Sequence, residues 1–134
     1  MKNIKAYYRK DNYVSLWLCK VNSEQKLEEY VDLDYDKVEN DEIPFELGCD
    51  FLISWYDEDF LEISYRPEDK GWDLLKEHSY MEDLLPGLIE RFQDEMDDKF
   101  NSVILIYNLD YDGNVKEVEN QYGYFKFIGS FKYR

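Results

Sequence analysis

The stretch SVILIYNL, residues 102–109, is a nearly unbroken run of β-branched and aliphatic side chains. Such a run is consistent with a strand that is buried on both faces at the centre of a sheet. The following segment, DYDGN at residues 110–114, has the composition of a turn. Beyond it, YGYFKFIGSFKY at residues 122–133 alternates in polarity, so we expect the two segments to pair antiparallel through a hairpin turn. The apolar face of the second strand is predicted to carry Phe125, Phe127, Phe131 and Tyr133.

The first third of the chain predicts another strand and a helix. YVSLWLCKV at residues 13–21 is β-branched, aromatic and aliphatic, which indicates a short buried strand. NSEQKLEEYVDL at residues 22–33 then begins with side chains that can cap a helix, and Leu27, Tyr30 and Val31 form one stripe. Acidic residues dominate positions 34–42, where a loop is expected. IPFELGCDF is either a short helix that starts at Pro44 and ends at Gly48, or an irregular connection.

The middle of the chain contains a further strand and the longest helical pattern. Alternation over residues 61–65 predicts a strand that Pro67 ends. Pro86 suits the first turn of a helix, and apolar residues recur from there at helical spacing as far as Phe100. A shorter helix is expected over residues 72–77. The sequence therefore predicts one α+β domain over residues 1–134, with two or three helices packed on a mainly antiparallel sheet.

The composition narrows the functional classes. With 134 residues, of which 44% are hydrophobic, the chain can form one core. Its 31 acidic and 16 basic residues give a formal charge of −15 at pH 7, which repels nucleic acid and anionic membranes and attracts basic proteins. The sequence contains no apolar run typical of a signal peptide or a membrane span. Because Cys19 and Cys49 also lack metal or redox spacing, we expect a cytoplasmic protein with reduced thiols; the alternative is a single bridge between them.

Patterns for catalysis and metal binding are weak. His78 is the only histidine; its neighbour Ser79 makes no catalytic triad by adjacency alone, and we expect the imidazole to face solvent. Residues 110–121 begin like a calcium loop, but Val115 and Gln121 occupy positions that need glycine and glutamate. Nucleotide-binding and metalloprotease motifs are absent from the sequence. We therefore predict no enzyme, and no catalytic residue, metal site or cofactor.

The segment WYDEDFLEISY, residues 55–65, interleaves carboxylates with aromatic side chains. Aromatic residues supply stiff contact area at protein interfaces, and adjacent carboxylates can pair with basic residues of a partner. The predicted partner-binding residues are Trp55, Tyr56, Asp57, Glu58, Asp59 and Glu62. A rival surface is the acidic loop that carries Asp32, Asp34, Asp36, Glu39, Asp41 and Glu42. The alternatives for the acids at 57–59 are a solvated turn, a hard-cation site, or general acid–base catalysis.

Several short sequence motifs, in a fixed order along the chain, carry a family resemblance. They are VSLWL, SEQKLEEYV and IPFELGCDFLISWYDEDFLEISY, which lie within residues 14–65. A Trp-containing first strand, a helix opened by Ser-Glu and a Tyr-Asp-x-Asp-Phe-x-Glu segment resemble the immunity protein 22 family of bacterial polymorphic toxin systems. The positions concerned are Trp17, Ser23, Glu24, Leu27, Tyr30, Phe45, Phe51, Tyr56, Asp57, Asp59, Phe60 and Glu62.

This resemblance implies an antitoxin. Members of the family are expected to bind and neutralise the C-terminal domain of a cognate toxin in the cytoplasm of the producing cell. A toxin that is a basic nuclease would suit the acidic composition of this chain. Tyr56 and Asp59 could then serve either the fold or the interface. The alternatives are a small acid-dependent hydrolase and a general protein-interaction adaptor.

Overall fold

The computed structural model describes residues 7–134, which are organised around one five-stranded antiparallel sheet. The strands are β1 (Arg9–Val21), β2 (Leu61–Tyr65), β3 (Ser102–Leu109), β4 (Glu117–Asn120) and β5 (Gly123–Lys132), in the spatial order β2-β3-β1-β5-β4. The helices are α1 (Glu24–Val31), α2 (Tyr35–Glu39), α3 (Glu46–Phe51) and α4 (Met81–Phe92). Short 3-10 turns lie at Glu58–Phe60, Gly71–Leu74 and Gln93–Glu95. The predicted α+β class, with helices on an antiparallel sheet, is confirmed.

Both faces of the sheet are covered, because successive residues of a strand point to opposite sides. Trp17 and Ile104 face one apolar cluster, where α1 and α3 contribute Leu27, Tyr30 and Phe51. The other face holds a second cluster. It is formed by Val14, Leu16, Leu18, Val103, Leu105, Leu74, Met81 and Leu88, among others. Burial on both sides explains why β1 and β3 are apolar throughout their central residues.

The pairing predicted for the two C-terminal segments is wrong. β3 and β5 do not pair with each other, because β1 lies between them and pairs antiparallel with both. The hairpin turn is also elsewhere: β4 pairs with β5, and the chain reverses between Asn120 and Gly123. The Asn120 side chain accepts from the backbone amides of Tyr122 and Gly123, which fixes this turn. Residues 110–116 instead form a longer connection.

A register shift in β5 overturns the predicted common face of its aromatic residues. Leu16 pairs with Gly129 whereas the next residue, Trp17, pairs with Phe127, so Ile128 is an extra residue. This bulge reverses the alternation along the strand. Phe125 and Phe127 consequently pack in the first cluster, whereas Phe131 and Tyr133 pack in the second.

The N-terminal helices follow the prediction in part. The Ser23 side chain accepts from the Lys26 amide and caps α1, as expected. The expected loop over residues 34–42 contains the short helix α2. The helix α3 forms, but Gly48 does not end it, because Leu52 takes the left-handed conformation at its C-terminus. Gly48 is needed instead for close packing, since a Cβ placed there would lie 2.4 Å from the Ile53 carbonyl oxygen.

The helix α4 differs from its prediction at both ends. It begins at Met81, so that Pro86 lies inside the helix rather than in its first turn. The missing amide removes one helical hydrogen bond on an exposed side, where water can satisfy the free carbonyl. The helix ends at Phe92 and does not continue to Phe100, which packs separately in the second cluster. The helix expected over residues 72–77 is only the 3-10 turn Gly71–Leu74.

Candidate functional site

The acidic segment before β2 forms a tight turn rather than an extended strand. Asp57 starts this turn, because its side chain accepts from the Asp59 amide over 3.0 Å and its carbonyl accepts from the Phe60 amide over 2.9 Å. Glu58 and Asp59 are thereby presented to solvent. Asp57 thus has a defined structural task, which is to cap the turn that positions its two acidic neighbours.

Tyr56 lies in the core, which corrects its predicted role as an apolar anchor for a partner. Its side chain is only 2% exposed, and its ring packs edge-on against Phe45 with 4.9 Å between ring centroids. The hydroxyl donates to the carbonyl of Val31 at the end of α1. Burial raises the pKa of Tyr56, so the phenol stays protonated and donates. Tyr56 therefore holds the turn against α1 and leaves no surface for a partner.

The two acidic regions that the sequence presents as rivals are joined in space. Tyr35, the first residue of α2, donates from its hydroxyl to Oε1 of Glu58 over 2.6 Å. Its ring also lies edge-on to Trp55, with 6.1 Å between centroids. We call this region the Tyr35–Trp55 surface; its members are Tyr35, Trp55, Glu58 and the flanking acids Asp34, Asp36, Asp57 and Asp59. Sequence reasoning missed Tyr35, although its position between two aspartates was a signal.

Local contacts set the electrostatics of the Tyr35–Trp55 surface. Asp34 caps α2 by accepting from the Asp36 amide over 3.1 Å. The hydrogen bond to Glu58, together with nearby carboxylates, raises the pKa of Tyr35, which therefore remains a neutral donor. Tyr35 is nevertheless 54% exposed. The result is an exposed aromatic ring held in place among carboxylates.

Glu62 contacts the segment before α4 rather than Tyr35 or Trp55. Its Oε1 lies 2.9 Å from Nδ1 of His78 and accepts from the backbone amide of Ser79 over 3.0 Å, while the Ser79 hydroxyl bonds to Oε2. Partial burial raises the pKa of Glu62, but these bonds outweigh it and the net pKa lies below the usual value. The expectation that His78 faces solvent is wrong, since its side chain is only 10% exposed.

Ser64 completes a chain of contacts that the sequence did not reveal. Its hydroxyl lies 2.8 Å from Nε2 of His78, so Ser64, His78 and Glu62 are connected in the order of a serine, histidine and carboxylate triad. Ser64 and Glu62 lie two residues apart on β2, and thus on one face of the strand. The extra bonds from Ser79 to Glu62 tie the segment before α4 to β2. We call the network of Glu62, Ser64, His78 and Ser79 the clasp, because it connects β2 to the segment before α4.

A cleft opens beside this clasp. Its volume is about 290 Å³, and Phe60 and Tyr80 both line it. We call it the Phe60–Tyr80 cleft; its other lining residues are Asp59, Glu62, Ser79, Tyr107, Asn108, Tyr133 and Arg134. Tyr80 precedes α4 in the left-handed region, with φ of 67°. Phe60 and Tyr80 are 38% and 43% exposed, so both rings present apolar area at the cleft.

Other kinds of site have less support in the described part of the chain. Within residues 7–134, no three His, Cys, Asp or Glu side chains are grouped so that they could hold a metal ion. Cys19 is buried and Cys49 is exposed, and both are free thiols. None of the helices among these residues combines the length and the apolar character needed to cross a bilayer.

Comparison with known proteins identifies the family. A family model described as immunity protein 22 matches residues 14–134, which is nearly the whole chain. No curated protein and no solved structure matches this chain. An immunity-protein family supports an antitoxin role in general, which implies binding of a cognate toxin and suggests an inhibitor that works without catalysis. The chain belongs to the immunity protein 22 family.

Proposed function

We propose that this protein binds the catalytic domain of a cognate toxin, a basic nuclease, and neutralises it in the cytoplasm of the cell that makes both. The observation that carries the proposal is membership of the immunity protein 22 family. The formal charge of −15 supports a basic partner, because an anionic protein accelerates its encounter with a cationic one. A nuclease is commonly cationic around its substrate groove, so an acidic protein can occupy or cover that groove. Stoichiometric binding would then be sufficient for protection.

We propose the Tyr35–Trp55 surface as the main contact region. Tyr35 offers an exposed aromatic ring whose orientation Trp55 and Glu58 already fix, so little side-chain entropy would be lost on binding. Glu58 and Asp59 are exposed beside it and can pair with lysine or arginine. Close charge pairs of this kind have coupling energies of about 1.5–7 kcal/mol in a well-measured complex. The surface therefore combines an anchor with charge complementarity.

The test is binding to the domain encoded beside this chain. Reading the neighbouring gene comes first, followed by co-purification and calorimetry of the two proteins at low and high salt. We expect one-to-one binding that weakens as salt rises, and rescue of cells that express the toxin. A neighbouring gene without a toxin, together with no co-purifying partner, would remove the basis of the proposal.

A matched pair of variants tests the surface itself. Glu58→Gln and Glu119→Gln each remove one negative charge, but Glu119 lies on β4, at the opposite edge of the sheet from β2. A contact at Glu58 predicts that Glu58→Gln weakens binding by about tenfold or more. Glu119→Gln should show only the small effect of the changed net charge. Equal effects of the two variants would argue against this surface.

A small hydrolase is the second candidate, and the contacts of His78 with Ser64 and Glu62 favour it. In that case Ser64 would be the nucleophile, His78 its base and Glu62 the orienting carboxylate. An active-site-directed fluorophosphonate should then label the wild type but not the Ser64→Ala variant. An unlabelled wild type, with Ser64→Ala still protecting cells, would support the antitoxin. A general adaptor would instead bind several partners weakly and rescue no toxin-treated cells.

A further inference from the structure

We propose that the Phe60–Tyr80 cleft is a second contact region for the toxin, and that it receives an arginine side chain of that partner. The inference rests on the proposed function and extends it to a cleft where the sequence indicated Asp59 and Glu62 but not the aromatic residues Phe60 and Tyr80. Its evidence is the exposure of two aromatic rings at one cleft, the backbone of Tyr80, and the charges around the cleft.

The cleft concentrates exposed aromatic area. Five large hydrophobic side chains are exposed among the described residues, and the two at 60 and 80 line the same cleft. Tyr107 and Tyr133 form deeper parts of the wall, and both rings contact Tyr80, with centroid distances of 6.0 Å and 4.7 Å. Aromatic walls of this kind are typical of pockets that bind a side chain of another protein.

The backbone of Tyr80 is unusual for a bulky residue. Its φ of 67° and ψ of 0° fall in the left-handed region, which glycine and asparagine enter more easily. The turn before α4 therefore does not by itself require tyrosine. The clasp keeps the turn in place, since Glu62 binds His78 and Ser79 immediately before Tyr80. A ring that is exposed and rigidly held at a backbone cost is consistent with a binding role.

The charges around the cleft favour a positively charged occupant. Asp59 and Glu62 line it, and the exposed residues Glu82 and Asp83 follow Tyr80 in the first turn of α4. Arg134 also lines the cleft, and its Nε donates to the Asn12 side chain over 2.9 Å. The carboxylates therefore outnumber the single guanidinium.

Arginine is the cation that fits this combination of groups. A guanidinium is planar, so it can stack on an aromatic ring while its edge donates hydrogen bonds to a carboxylate. A lysine ammonium lacks the flat surface for stacking. The cleft is also continuous with the main surface, because Asp59 and Phe60 belong to the same turn as Glu58. One basic partner can therefore contact both regions.

Tyr80→Asn is the informative substitution. Asparagine tolerates the left-handed backbone and removes the ring. The lost packing on Tyr107 and Tyr133 should lower the melting temperature, so affinity is measured where thermal unfolding shows the variant to be fully folded. We expect its dissociation constant for the C-terminal domain of the neighbouring toxin to rise by at least tenfold. Ile89→Gln is the control, because Ile89 is 37% exposed on α4 but does not line the cleft. Its affinity should match the wild type.

Asp59→Asn tests the charge of the occupant. An arginine in the cleft predicts a clear loss of affinity at low salt that shrinks at high salt. Because Asp59 also belongs to the Tyr35–Trp55 surface, this loss must become much smaller when Tyr80 is already asparagine. Weakening by Tyr80→Asn without such an effect of Asp59→Asn would overturn the arginine assignment. Unchanged affinity of Tyr80→Asn would overturn the cleft alone and leave the proposed function standing. A wild type that does not bind the toxin would overturn both.

Discussion

The hydroxyl of Tyr35 donates to Oε1 of Glu58 over 2.6 Å and joins two segments that lie 23 residues apart. Between them the chain forms α3, whose Leu47 and Phe51 pack into the first apolar cluster. That packing turns the chain back on itself and brings Trp55 against Tyr35. The acids near α2 and those before β2 are consequently parts of one surface, and one partner can contact both groups.

Substitution of Tyr35 should weaken binding without affecting the fold. Tyr35→Ala removes a ring that is 54% exposed, and we expect about tenfold or greater loss of toxin affinity with little change in melting temperature. Tyr35→Phe keeps the ring but loses the hydrogen bond to Glu58. Its toxin affinity should lie between those of Tyr35→Ala and the wild type. Calorimetric titration of the three proteins checks the order. Equal affinity of Tyr35→Ala and the wild type would exclude the ring from the interface.

Tyr56→Phe should lower the stability of the fold without changing toxin affinity, which is the opposite of the effect expected at Tyr35. It removes the donor to the Val31 carbonyl in a buried position, which costs about 1 kcal/mol of unfolding free energy. Toxin affinity should not change while the protein stays folded, since the ring is already buried. Urea unfolding and calorimetry on the same preparation separate the two effects. Lost affinity with unchanged stability would show that Tyr56 serves the interface rather than the fold.

The clasp at Glu62 should make stability depend on pH in the acid range. Its pKa is lower in the folded protein than the usual value of 4.5, so the contribution is fully present above that value. It is then lost as the pH falls through the lower, folded pKa. Glu62→Gln removes this titration but retains an oxygen that can accept from Ser79. We expect the variant to lose less stability than the wild type between pH 6 and about pH 3.

Many other carboxylates titrate over the same range, so the difference between variant and wild type is the measured quantity. Urea midpoints of both proteins at matched pH values supply it. Parallel curves would mean that Glu62 titrates alike in the folded and unfolded chain. Glu119→Gln, which removes an exposed carboxylate at the far edge of the sheet, is the control for the loss of one negative charge.

Four of the five strands and the fold class were predictable from local sequence, whereas β4 and the arrangement of the strands were not. The apolar runs of β1 and β3 identify central strands because both faces are buried. Nothing local specifies that β1 lies between β3 and β5, since this pairing joins residues far apart in the chain. The bulge at Ile128 was equally hidden. An extra residue is visible only against the partner strand, and it reverses which face each later aromatic residue occupies.

The candidate site was predictable in composition but not in geometry. The segment around Glu58 attracts attention because acids and aromatics alternate, yet its sequence does not distinguish the buried Tyr56 from the partly exposed Trp55. Tyr35 and Ser64 were missed because their importance depends on partners that only the fold supplies. His78 was misplaced for the same reason: a lone histidine shows no pattern until Glu62 and Ser64 lie on either side of it.

Two glycines in helices should respond to alanine with opposite signs. At Gly48 in α3, an added Cβ would lie 2.4 Å from the Ile53 carbonyl oxygen and 2.5 Å from the Phe45 ring, so the backbone must shift. We expect Gly48→Ala to cost about 1–3 kcal/mol of unfolding free energy. At Gly87 in α4, an added Cβ meets nothing within 4 Å. Gly87→Ala should therefore stabilise the protein by about 0.5–1 kcal/mol through the lower backbone entropy of alanine.

The variants Gly48→Ala and Gly87→Ala also test whether packing at α3 affects toxin binding. Gly48 accepts the amide of Ile53, two residues before Trp55, so a shift at Gly48 also displaces the Tyr35–Trp55 surface. We expect Gly48→Ala to weaken toxin binding even at temperatures where the variant is fully folded. Gly87→Ala should bind as the wild type does. Urea unfolding and calorimetry of both variants test this, and a Gly48→Ala protein with native stability and affinity would show that the close contact at Ile53 is not required.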